Sequence, residues 1–107
     1  MFTITVTIGR NDGPATRATG VAVPMSAQDW QAFQDEVRAL FSVLYGTGLG
    51  TGEWEGISED TFLAVGQVAD LAAVRSRLAE LCVSRRQDAI GLVAQAGDDT
   101  QVSAFSL

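Results

Sequence analysis

The sequence predicts an α+β fold, a ferredoxin-like two-layer α/β sandwich of order β-α-β-β-α-β with an extra C-terminal edge strand. Three observations predict it. The first segment alternates strictly with a period of two, two later segments carry apolar stripes at helical spacing, and a strand pair separates those helices. At 107 residues the chain is expected to form a single domain, residues 1–107, with a core large enough to fold without staples.

Phe2, Ile4, Val6 and Ile8 alternate with Thr3, Thr5 and Thr7, the pattern of a half-buried strand whose threonine face looks out from the open side of the sandwich. Gly9 to Gly20 contains Asn11-Asp12-Gly13-Pro14 and reads as a long exposed turn or loop. A helix begins at Ser26, which caps with Asp29 in a capping-box-like pair, while Met25 and Trp30 occupy the staple positions. Its apolar stripe runs through Trp30, Phe33, Val37, Leu40, Phe41 and Leu44, with Gly46 after Tyr45 as a left-handed stop.

Glycines 46, 48, 50 and 52 read as a flexible connector. Glu53-Trp54-Glu55 is then extended and Thr61 to Val68 forms a strand, the two joined as a hairpin through Gly56 to Asp60. Asp70 caps a second helix with Leu71, Val74, Leu78, Leu81 and Cys82 on one face, ending near Ser84 to Arg86. Asp88 to Gln95 is a buried strand, turned by Gly97-Asp98-Asp99 into a last strand over Gln101 to Phe105.

Composition narrows the chemistry. The chain has thirteen acidic residues, seven arginines, a net charge of −6, no histidine and no lysine. Schiff-base chemistry, a phosphate-loop ammonium, imidazole ligands and a Ser-His or Cys-His couple are therefore excluded. A pI near 4.3 opposes nucleic-acid binding. The apolar runs are too short to span a bilayer, so no membrane partner is expected and the cytoplasm is the expected compartment. Cys82, the single cysteine, lies on an apolar stripe and reads as inert. No metal and no cofactor is expected.

The glycine run follows a helix, opens a strand and lacks G-K-[ST], which argues against a phosphate loop. Glu53, Glu55, Glu59 and Asp60 cluster around Trp54 without an intervening base, and a solvated acidic hairpin tip competes with a carboxylate pair or cation site. Alternation turns the Trp54 indole toward the helix-covered side; an exposed interface anchor is the competing reading.

The segments T-I-G-R-N (Thr7 to Asn11), M-S-A-Q-D-W-Q-A-F (Met25 to Phe33), G-x-W-E-G-I-S-E-D (Gly52 to Asp60) and Q-D-A-I-G-L (Gln87 to Leu92) together resemble uncharacterised small proteins of actinobacteria and their phages. The resemblance implies an origin and a fold, and no activity.

The leading functional expectation is a non-catalytic protein-interaction module, in its sharpest form a phage or mobile-element inhibitor of a host defence system. It would engage a protein partner through Glu53, Trp54, Glu55, Glu59 and Asp60. The alternative is a small-molecule-binding ferredoxin-like domain, dimeric through its open sheet face, with a pocket between sheet and helices near Trp30, Tyr45 and Trp54. A carboxylate enzyme using Glu53 and Glu55 ranks third.

Overall fold

The structure is a computed structural model that describes residues 1–106. Strand β1 (Phe2–Gly9) forms its centre, because the alternation supplies one apolar and one polar face. Ile4, Val6 and Ile8 are at most 2% exposed, and Thr3 and Thr7 point outward. β1 pairs with β3 (Ile57–Val68) on one side and β4 (Ala89–Ala96) on the other. With β2 (Val43–Trp54) and β5 (Asp99–Ser106) at the edges, the result is a five-stranded antiparallel sheet of order β2-β3-β1-β4-β5.

Helices α2 (Ala27–Arg38) and α3 (Leu71–Ser84) bury their stripes on one face of that sheet. Phe33, Val37, Leu78 and Leu81 meet Val6, Phe62 and Leu92 in a single core. The Arg38 guanidinium lies 4.9 Å from the centre of the Phe62 ring, and Glu36 links the helices by accepting from Arg85 and Arg77. Ser26 and Asp70 cap as the sequence predicts, accepting the N–H groups of Asp29 and Ala73. Cys82 is buried, and its thiol is pushed up by that burial. No described helix is long and apolar enough to cross a membrane.

Three expectations are corrected. Gly9 to Gly20 contains a helix, α1 (Gly13–Thr19), with Asp12 as N-cap, Pro14 in the first turn and Gly20 left-handed at the end (φ 73°). The helix starting after Ser26 stops at Arg38: Leu40 and Phe41 tuck against the core, and the Ser42 N–H already bonds to the Gln67 carbonyl at 2.8 Å. The glycine tract belongs to a strand, since β2 pairs with β3 from Val43 to Trp54 through one bulge between Leu44 and Gly46. Propensity disfavours glycine in strands, and the continuous ladder to β3 overrides it.

Asp12 joins α1 to the far end of α3. Its side chain accepts from Ala15 N at 2.8 Å and from Arg86 Nε at 2.5 Å. Burial alone would raise its pKa; the Arg86 hydrogen bond, the Ala15 N–H and the charges of Arg86 and Arg17 outweigh it and hold the carboxyl below its ordinary 3.8. A depressed carboxyl stabilises the fold above the ordinary value and loses that contribution as pH falls through the depressed one. Asp12→Ala should therefore cost about 1–2 kcal/mol at neutral pH, as measured by urea unfolding. The gap should close in acid.

Candidate functional site

The turn between β2 and β3 sets the geometry of the site. Glu55 and Gly56 both have positive φ (52° and 80°), as a tight two-residue hairpin requires, so Trp54 pairs with Ile57 and Gly52 with Glu59. This register puts Trp54 and Glu59 on the face the helices leave open. Glu53 and Asp60 fall on the opposite face, where Arg10 pairs with Asp60 at 3.2 Å, and Glu55 sits at the turn. The five residues expected to share one acidic surface are thus divided.

Trp54 is 47% exposed, which corrects the expectation of an indole on the helix-covered side. Alternation correctly sets it opposite Glu53, but the helices cover the other face. The pocket expected near Trp30, Tyr45 and Trp54 is corrected for the same reason. Trp30 is 7% exposed within the core, Tyr45 is exposed at the β2 bulge, and Trp54 lies at the far end of that strand.

A hollow of about 300 Å³ opens instead on the uncovered face, where β1 ends. Its floor is nearly free of side chains, being made of Gly9, Gly52, Gly91, Ala89 and Ala104, and Trp54, Thr7, Thr61 and Glu59 stand around it. The glycine at position 9 makes room for the carboxylate: a Cβ there would lie 2.3 Å from the Glu59 carboxyl carbon, so a side chain at this position would displace the Glu59 carboxylate from its seat. One oxygen, Oε2, accepts the Asn11 N–H at 2.8 Å. Burial pushes the Glu59 carboxyl above its ordinary 4.5; the Asn11 hydrogen bond opposes this and the neighbouring charge of Asp60 adds to it.

Gln87, 2% exposed, braces the floor from behind. Its Oε1 accepts from Gly9 N at 3.4 Å, and its Nε2 donates to the Asn11 and Arg85 carbonyls, each at 3.2 Å. Trp54 is held from the side, where its Nε1 donates to Asp88 Oδ2 at 3.1 Å. Asn11, Gln87 and Asp88 lie in two of the segments that carry the resemblance, T-I-G-R-N and Q-D-A-I-G-L, but no local pattern links them to Trp54 or Glu59, and only the tertiary pairing of β1, β3 and β4 brings them to the site. The Glu55-Gly56 dipeptide between extended segments is the one local signal that could have placed Glu59 beside Trp54.

A half-buried carboxylate, an aromatic wall and a floor that allows close approach suit a flat ligand bearing positive charge. No arginine lines the hollow.

An antiparallel five-stranded α+β sandwich with a ligand-sized hollow on its open face is the class that fold and site define. No family model matches the chain, and no curated protein matches it in sequence. Among solved structures it is similar to a phage SAM lyase in complex with S-methyl-5′-thioadenosine, with a TM-score of 0.62 at 14% identity over 99% of this chain and 89% of that one. A phage SAM lyase in the apo state aligns over the same shares with a TM-score of 0.59 at 12% identity. At such identities the likeness establishes a shared fold.

The reading as a non-catalytic protein-interaction module is corrected by these findings. The solved structures that share the fold are of a lyase with a small molecule bound in one of them, and the acidic surface on which that reading rested is split between two faces.

Proposed function

We propose that this protein is an enzyme acting on a sulfonium nucleoside, binding S-adenosylmethionine in the sheet-face hollow and releasing S-methyl-5′-thioadenosine. The observation that carries the reading is the Glu59 carboxylate, half-buried beside the Trp54 ring in a hollow without a basic side chain, on the fold of a SAM lyase. The strand order supports the finer description of that fold as ferredoxin-like with an added C-terminal edge strand.

Each part of the site has a role in this chemistry. Trp54 offers a ring face to adenine or to the sulfonium cation, and the bare floor lets a planar base approach the sheet. Glu59 attracts the positive charge in a setting where water screens it less than in bulk. Release of S-methyl-5′-thioadenosine breaks the bond between sulfur and Cγ of the methionine portion as an oxygen of the substrate's own carboxylate bonds to Cγ and closes a lactone, and the electron pair of the broken bond returns to sulfur. Sulfur is then neutral, so the attraction that drew the substrate in no longer retains the thioether product.

Incubating the purified protein with S-adenosylmethionine and following S-methyl-5′-thioadenosine by chromatography tests the reading. The thioether is expected to accumulate in proportion to enzyme and time. Formation at the uncatalysed rate would overturn the assignment.

A further inference from the structure

We infer that Asp88 is a positioning residue for this site, latching the Trp54 indole as a fixed partition wall and tying that wall to α1. The inference rests on the reading above only in taking the sheet-face hollow as the substrate site.

Trp54 needs a restraint that its strand does not supply. It is the last residue of an edge strand, next to a turn of two left-handed residues, and at 47% exposure its ring is not locked by packing. The ring also separates three spaces. One is the hollow of about 300 Å³, the second an inner chamber of about 50 Å³ reaching Asn11 and Gln87, the third an outer hollow of about 330 Å³ reaching Arg17 and Gly20. A swing of the indole would join these spaces and remove the wall against which a flat ligand stacks.

The hydrogen bond from Trp54 Nε1 to Asp88 Oδ2, at 3.1 Å and across 34 positions of sequence, supplies the restraint. Asp88 is itself anchored. Its side chain is 15% exposed, its Oδ1 pairs with Arg17 of α1, and it is seated against Gly13, where a Cβ would lie 2.5 Å from Oδ1. A carboxylate this buried carries a desolvation cost; Oδ1 has the Arg17 cation beside it but accepts no hydrogen bond, so the indole N–H on Oδ2 is the hydrogen bond that the side chain makes. A carboxylate serving only to staple α1 would need the Arg17 contact alone.

Nitrogen-15 NMR separates the two roles, because the chain has only two tryptophans and so two indole N–H signals. Trp54→Phe identifies the Trp54 signal. In Asp88→Ala that signal is expected to move toward the position of a water-exposed indole and exchange faster, while the Trp30 signal stays. KM for S-adenosylmethionine should rise about tenfold with kcat little changed, the loss of a charge-assisted hydrogen bond. Asp88→Asn, whose amide oxygen can still accept the indole N–H, should recover most of the affinity, and Asp88→Ser, too short to reach the indole, stands in should the alanine variant not fold. Arg17→Gln should lower the melting temperature yet leave the Trp54 signal in place. An unmoved Trp54 signal in Asp88→Ala, or a moved signal with unchanged KM, would overturn the proposal. Absence of turnover in the wild-type protein would instead remove the reading of the site, and the indole shift would still decide whether Asp88 holds Trp54.

Discussion

Glu59→Gln is expected to lower kcat/KM for S-adenosylmethionine by about a hundredfold or more while making the protein more stable at neutral pH. On the function proposed above, the activity loss follows from removing the negative charge that would face the sulfonium in a half-buried site. Glutamine keeps the shape and can still accept the Asn11 N–H, so geometry is conserved and charge alone changes. Binding of the neutral thioether should change far less than binding of the cationic substrate, a contrast that calorimetric titration can read.

The stability gain has the opposite sign from that of a paired carboxylate. Because burial raises the Glu59 pKa above 4.5, the contribution of this group is fully present below that value and is lost as pH rises through the raised one. Glutamine does not ionise. The melting-temperature difference between variant and wild type should be smallest near pH 4 and widen in favour of the variant toward pH 7. A variant that keeps full activity, or is less stable throughout, would show that Glu59 is not a charge held in the site at a cost to the fold.

Gly66→Ala should produce the largest loss of stability of any single methyl addition in the sheet. A Cβ at this position would lie 2.1 Å from the Val43 carbonyl oxygen and 2.7 Å from Phe41 Cδ1. The first of these is backbone and has no rotamer by which to move away. Relief requires opening the β2–β3 ladder at the bulge, where α2 hands over to β2. We expect a cost of about 3 kcal/mol, a fall in melting temperature of roughly 10 °C or more for a chain of this size. Gly46→Ala, across the bulge with nothing within 4 Å of the new methyl, is the matched control. It should be neutral or slightly stabilising, since alanine restricts the unfolded chain more than glycine does. Thermal unfolding followed by circular dichroism distinguishes the two, and equal melting temperatures would show that β2 shifts aside freely.

The alternation of Phe2 to Ile8, the capping residues Ser26 and Asp70, and the stripe from Val74 to Cys82 were legible without the fold, because each is a short-range pattern that meets its partner only through burial. From them follow the two packed layers, the two main helices and the burial of Cys82. Long-range pairing decided the rest. The apolar residues from Leu40 to Leu44 fit a helical stripe, but pairing with β3 takes Val43 and Leu44 into a strand and leaves Leu40 and Phe41 in the connection, packed on the core. Glycines 46 to 52 carry no local preference for extension, so only a partner strand could order them. Parity along β2 separates Trp54 from Glu53, but which of them faces the hollow depends on which side of the sheet the helices occupy. Local pattern settled the burial of β1, of α3 and of Cys82, and composition excluded histidine and lysine chemistry. The tertiary structure alone decided that Glu59, Trp54, Gly9 and Asp88 meet, because those contacts join residues from 34 to 50 positions apart through strand register, and register is a property of the assembled sheet.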